Sequence, residues 1–131
     1  VLRPDLQKFI GIPYRDGGRN MSGADCGGLA LLVLRAYGLA VPDFACATQA
    51  ELPEILQQVS SSGRLLPLAF PEEPCLVCLA TCPKAPRVVN HVGIYTGDGN
   101  MLHTRRGRVS HLVRLSSPCV AHTVRGYYRV C

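Results

Sequence analysis

The stretch "ADCGGLALLVLRAYG", residues 24 to 38, constrains this chain more than any other. Leu29, Ala30, Leu31, Leu32, Val33 and Leu34 are apolar on every side of a helix. The helix predicted from about Cys26 to Tyr37, stopped by Gly38, therefore has to be central and buried. Its first residue is a cysteine set between a carboxylate and two glycines. A packing thiol would sit more naturally inside the run, where Leu31 and Leu34 are. At a helix N-terminus the partial positive charge of the unpaired N–H groups favours a thiolate. The apolar run is far shorter than the ~20 residues that cross a bilayer, so no membrane span is expected.

The rest of the composition fits one globular domain over residues 1–131. The hydrophobic share is 47% and the charged share 18%, enough apolar content for a single core, and no repeat suggests a solenoid. The net charge is +5, with arginines gathered after Arg87. They are not interleaved with the aromatic residues of a base-stacking platform, and no DNA-binding motif appears, so nucleic acid is not expected as a partner. A solvated basic face, or one suited to an anionic polymer, fits better. The seven cysteines, Cys26, Cys46, Cys75, Cys78, Cys82, Cys119 and Cys131, are scattered mostly among apolar neighbours, as buried free thiols are. Cys75, Cys78 and Cys82 have tolerable zinc spacing, but no second pair follows and a strand would turn Cys75 and Cys78 to opposite faces. No metal or cofactor is expected.

Along the chain, residues 4 to 10 read as a short helix ended by Gly11. A polar loop, "GIPYRDGGRNMSGAD", leads to the buried helix. Thr48 to Glu51 has the pattern of a capping box, and a helix is expected from near Pro53 to near Ser60. The second half changes period. "CLVCLA", "HVGIYTG", "NMLHT", "SHLVRL" and "VRGYYRV" read as short strands, and Thr96-Gly-Asp-Gly-Asn100 as a tight hairpin turn. Helices followed by an antiparallel sheet give an α+β domain.

A thiolate nucleophile needs an imidazole partner. Of His91, His103, His111 and His122, the first two lie on the hairpin strands turned by "TGDGN". Residue 91 should pair with about 104 or 105, which brings His91 and His103 to the same end of the hairpin. His111 and His122 read as surface or sheet-face residues.

These segments resemble a known family. "IGIPYRDGGRNMSGADCGGL" is similar to the nucleophile segment of the NlpC/p60 cysteine peptidases, and "NHVGIYTGDGNMLHT" to that family's histidine segment; "VRGYYRV" resembles its closing strand. The resemblance implies a papain-like α+β fold with the nucleophile helix packed on an antiparallel sheet. It implies Cys26 as nucleophile, His91 as general base and His103 as its orienting residue. Tyr14, Asp25 and Gly27 then fall to the oxyanion and substrate-binding region. Tyr14 would help hold the oxyanion beside the Cys26 N–H, and Asp25 would meet polar groups of the substrate. The family cleaves peptidoglycan stem peptides, often the D-γ-glutamyl–diaminopimelate bond, without a metal. The short form with "GIPYRDGGR" is similar to phage-tail and prophage members. That implies tail proteins as partners and action in the cell wall, after synthesis in the bacterial cytoplasm or export. A catalytically silent tail component with the same fold is the alternative. Gly27 and Asp16 depart from the family pattern, where a serine or aromatic and a tryptophan are usual.

Overall fold

The computed structural model describes residues 3–41 and 52–131, with the side chains of residues 52, 53, 55 and 60 not described; the capping-box pattern at 48–51 lies outside the described residues. A 3-10 turn, Leu6–Phe9, opens the chain. Two short strands, β1 (Arg19–Asn20) and β2 (Gly23–Ala24), form a small antiparallel pair. The helix α1 (Cys26–Ala36) follows, then α2 (Leu52–Ser61). The main sheet contains β3 (Leu65–Leu68), β4 (Cys75–Leu79), β5 (His91–Gly97), β6 (Asn100–His103), β7 (His111–Arg114) and β8 (Val124–Val130), with the short helix α3 (Pro118–Ala121) before β8. Its strand order is β3-β8-β4-β5-β6-β7, and every neighbouring pair is antiparallel. This is an α+β, papain-like arrangement.

Helix α1 packs on β5 and β6. Alternation along the strands divides the sheet residues between two clusters. Leu76, Cys78, Val92, Ile94 and Leu102 join Leu29, Ala30, Val33 and Leu34 of α1 in the larger one. Val77, Leu79 and Met101 form the second, covered by Tyr95, Val113, Val120 and Tyr127. Buried on both faces, β4 shows no exposed position, so its sequence is a continuous apolar run rather than an alternating one.

The expected helix over residues 4–10 is reduced to the four-residue 3-10 turn. Asp5 caps it by accepting from the Gln7 N–H, and Ile10 has already become extended. The β5–β6 turn runs through Gly97, Asp98 and Gly99, all at positive φ, a conformation that glycine adopts freely and aspartate tolerates.

The second of the two glycines after Cys26 has a packing reason. A Cβ at Gly28 would run into the Gly18 carbonyl, and a Cβ at Gly18 would run into the Gly23 carbonyl. The first turn of α1 can therefore approach the 17–23 loop only with glycine on both sides. Gly28→Ala should cost about 1–3 kcal/mol through overpacking. A thermal melt checks this: a fall of several degrees is expected, and a melting temperature within a degree of wild type would show that the loop does not pack on the helix.

Candidate active site

Asp25 N-caps α1. Its Oδ1 accepts from the Gly28 N–H at 2.7 Å and its Oδ2 from the Gly17 N–H at 2.9 Å. The same carboxylate thus satisfies an orphan donor of the helix and ties down the preceding loop, a cap worth about 1 kcal/mol. It is only 4% exposed, and burial raises its pKa against the pull of those two N–H groups. The resemblance gives Asp25 to substrate polar groups. In this geometry its oxygens accept from the backbone N–H groups of the helix and the loop.

Cys26 follows as the first helical residue, with Gly27 next and buried. The N–H groups of Cys26 and Gly27 head the first turn, where helix N–H groups lack intrahelical acceptors. Cys26 lines a cavity of about 170 Å³ together with Tyr14, Thr81, His91, Thr104, Arg105 and Arg106. A larger cavity of about 400 Å³ lies elsewhere, between α2, the 87–89 segment and Tyr128, and includes none of these residues.

His91 opens β5 and His103 ends β6. Ile94 pairs with Leu102 and Tyr95 with Met101, while at the turn Gly97 pairs with Asn100, so a bulge shifts the register by one. Continued outward, that register sets His91 opposite residue 105, with His103 its diagonal neighbour on the same face. His91 Nε2 and His103 Nδ1 are 2.8 Å apart, and both residues are buried, at 3% and 5% exposed. The expectation that the hairpin brings these two rings together holds. Burial lowers the pKa of each, His91 further through His103, Arg105 and His111, and His103 further through His111, Arg105 and Arg108. Both rings are therefore neutral near pH 7. In the neutral pair one of the two facing nitrogens carries the proton. If His91 Nε2 donates, its Nδ1 keeps a lone pair for a thiol proton and His103 is the Nε2–H tautomer. His103 Nε2 is buried without a hydrogen-bond partner.

Tyr14 is held in extended backbone between Ala24 and the loop before β7: its N–H donates to the Arg108 carbonyl at 3.3 Å, and the Arg15 N–H donates to the Ala24 carbonyl at 3.2 Å. Buried Ser110 pins this loop, donating to the Phe9 carbonyl at 2.6 Å and accepting from the Ile12 N–H at 2.8 Å. The Tyr14 hydroxyl donates to Asp16 Oδ1 at 3.1 Å. Both oxygens of Asp16 also accept from Arg106 Nη2, at 2.9 Å each, and the Arg106 guanidinium lies over the Tyr14 ring. Burial, then the bond to Asp16, pushes the Tyr14 pKa well up, so its hydroxyl stays protonated. It lines the cavity with Cys26, but its proton is committed to Asp16 in this state.

Thr81, Thr104, Arg105, Arg106 and Ser110 carry no motif that singled them out from the sequence; "TRRGR" directly after His103 was the one available signal for the two arginines. His111 lies on the sheet face, one of the two placements expected for it. It pairs directly with His103 across β6 and β7, and its ring lies 4.6 Å from the His103 ring. His122 is exposed, its Nδ1 2.7 Å from the Pro118 carbonyl. The cysteines are less uniformly buried than expected. Cys75 and Cys78 are buried free thiols whose pKa values burial pushes up to about 11 and about 12. Cys82, Cys119 and Cys131 are exposed free thiols. Among the described residues, no three His, Cys, Asp or Glu side chains are grouped to hold a metal ion, and no helix is long and apolar enough to cross a membrane.

Comparison with known proteins agrees with this architecture. The chain is 29% identical over 96 residues to a gamma-D-glutamyl-L-lysine dipeptidyl-peptidase of Bacillus subtilis, covering 73% of this chain and 28% of that protein. It is 25% identical over 111 residues to the enzyme of the same name from Bacillus cereus, covering 84% and 30%. The chain thus spans less than a third of either relative. Among solved structures, an NlpC/P60 family protein from Bacillus cereus superposes with a TM-score of 0.67 at 24% identity, over 93% of this chain and 36% of that one. The NlpC/p60 domain of the peptidoglycan hydrolase SagA gives 0.62 at 21%, over 95% and 92%. The NlpC/P60 family model matches residues 11–129, a span that holds Tyr14, Cys26, His91 and His103, and the chain belongs to the NlpC/P60 family.

Proposed function

We propose that this domain is a cysteine peptidase of bacterial cell-wall peptides, with Cys26 as nucleophile, His91 as general base and His103 as the residue that orients it. The observation that carries the reading is the 2.8 Å contact between His91 Nε2 and His103 Nδ1, with His91 and Cys26 on the wall of one cavity. In the attack, Cys26 Sγ forms a bond to the scissile carbonyl carbon while its proton passes to His91 Nδ1. The developing oxyanion faces the N–H groups at the head of α1. His91 then protonates the leaving amine, which departs and leaves the thioester. Water attacks the thioester, His91 takes its proton, and the acid is released with the thiol restored. Tyr14 joins the oxyanion donors when its hydroxyl turns from Asp16. The names of the two relatives suggest a γ-D-glutamyl bond to a diamino acid as the one cleaved. The phage-tail association rests on the short "GIPYRDGGR" form alone.

Incubation with purified peptidoglycan, followed by mass spectrometry of the released peptides, tests the reading. Wild type should release γ-glutamyl-terminated fragments and Cys26→Ala none. An inert wild type would favour the silent tail component, and fragments released equally by Cys26→Ala would overturn the nucleophile. His103→Asn, which still offers an acceptor to His91, should keep measurable turnover. His103→Ala should lose ~10²–10⁴-fold, the scale of a misdirected base. Activity of His103→Ala equal to that of His122→Ala would remove His103 from the site.

The neutral histidine pair also has a consequence for stability. An unfolded histidine takes up a proton near pH 6.5, whereas the folded His91 and His103 resist it. The unfolded state therefore binds more protons below that pH, and stability falls as the pH drops from about 6.5 toward the lowered folded values. Each histidine contributes up to about 1.4 kcal/mol per pH unit in that window. Urea unfolding between pH 7 and 5 should show this loss, and His91→Gln should flatten it. An unchanged slope in that variant would show that His91 titrates normally in the folded protein.

A further inference from the structure

Arg105 occupies an unusual electrostatic position. It lines the catalytic cavity with Cys26 and His91. It also lines a second cavity of about 160 Å³, where His91, His103, Cys119 and His122 form part of the wall. Its neighbour Arg106 is taken up by Asp16, whereas the Arg105 guanidinium makes no hydrogen bond or ion pair among the described residues; only its backbone carbonyl is engaged, accepting from the Arg108 N–H at 3.0 Å. The charged and titratable groups around His91 and His103 are Arg105 and Arg108 from the β6–β7 loop, His111 from β7, Cys26 from α1, Tyr14 from the preceding loop, the balanced Asp16–Arg106 pair, and His122 and Cys119 beyond the second cavity. Asp25, the other nearby carboxylate, is turned inward. Among the described residues, no unpaired negative charge offsets Arg105. That is an awkward setting for a base, because His91 has to become an imidazolium beside a guanidinium.

A carboxylate brought in by the substrate resolves the conflict. Thr104 makes the same point independently: its side chain is on the cavity wall and 1% exposed, yet its hydroxyl has no hydrogen-bond partner. We propose that Arg105, with the Thr104 hydroxyl as second donor, is the specificity-determining subsite for a free carboxylate on the substrate residue at the scissile bond. Binding there offsets the Arg105 charge, which adds to burial and to His103 in holding the His91 pKa down, and so raises the basicity of His91 in part. Acidic peptides are selected twice, once by the contact and once by this gain in the base. The inference rests on the peptidase reading and adds a recognition residue to it.

Alkylation of Cys26 tests it without any peptide substrate. With iodoacetate or iodoacetamide, Cys26 Sγ forms a bond to the methylene carbon, iodide leaves with the C–I electron pair, and the thiol proton passes to His91. The two reagents differ mainly in the carboxylate. The ratio of iodoacetate to iodoacetamide rates at Cys26, read by peptide mapping, should exceed that of the urea-unfolded chain by about 10-fold, the effect of one charge-assisted contact. Arg105→Gln should lower the iodoacetate rate several-fold while leaving the iodoacetamide rate equal or faster, since the base is relieved of a neighbouring cation. It should also move the pH–rate profile for iodoacetamide toward higher pH. Arg105→Lys should keep part of the preference, and Arg35→Gln, on the far turn of α1, all of it. Equal loss in both reagents, or an unchanged ratio in Arg105→Gln, overturns the subsite alone. Cys26 inert to both reagents while Cys82 reacts would overturn the nucleophile and this inference with it.

Discussion

The geometry of the site hangs on the first turn of α1 and what lies against it. Gly28 meets the Gly18 carbonyl with no room for a Cβ, and the two oxygens of Asp25 bond the helix and the loop at once. Together these fix where the helix begins and which way the first residue, Cys26, projects. The buried apolar face of α1 then sets the helix on β5 and β6, so the same packing that forms the core delivers the thiol to the end of the hairpin. A carboxylate beside a nucleophilic thiol would oppose its ionisation. Here the charge of Asp25 is spent on backbone N–H groups, and the cost of burying it is offset by what it holds in place.

A second trade-off governs the histidines. Burial and neighbouring cations keep His91 and His103 neutral, which leaves His91 able to accept a proton but reluctant to hold one. In the proposed reaction, a thiolate formed on proton transfer would lower that reluctance, because opposite charges in a water-poor cavity attract strongly. The Tyr14 loop adds a further layer. Ser110 anchors it to β7, and the Asp16–Arg106 pair bridges it to the loop after His103. The bridge brings Arg106 onto the cavity wall beside Tyr14, so that wall carries a cation next to an aromatic ring.

Much of this was legible in the sequence, for identifiable reasons. An all-apolar helix and five runs of strand-like residues survive any detail of packing, and the hairpin turn fixes which residues of β5 and β6 lie near each other. That was enough to bring His91 and His103 together. Strand β3 was not legible because "LLPL" carries a proline and no alternation; it is an edge strand, where the missing N–H costs least. The cap that Asp25 makes was not read from the sequence, because a carboxylate before a helix serves equally well as cap or as ligand. The contact of His111 with His103 was not foreseen because cross-strand stacking depends on the register of β7, which no turn signal fixed. Arg105 and Thr104 are ordinary residues in sequence, and their placement emerges only from the shape of the cavity.

The central claim is that Cys26 is served by a neutral histidine relay with a defined tautomer. Nitrogen-15 NMR of the histidine rings at pH 6 tests it most directly. The account requires His91 and His103 both neutral, each protonated on Nε2, so that His91 donates to His103 and keeps Nδ1 open toward the thiol. An imidazolium at His91, or a proton resting on its Nδ1 in the resting protein, would contradict it.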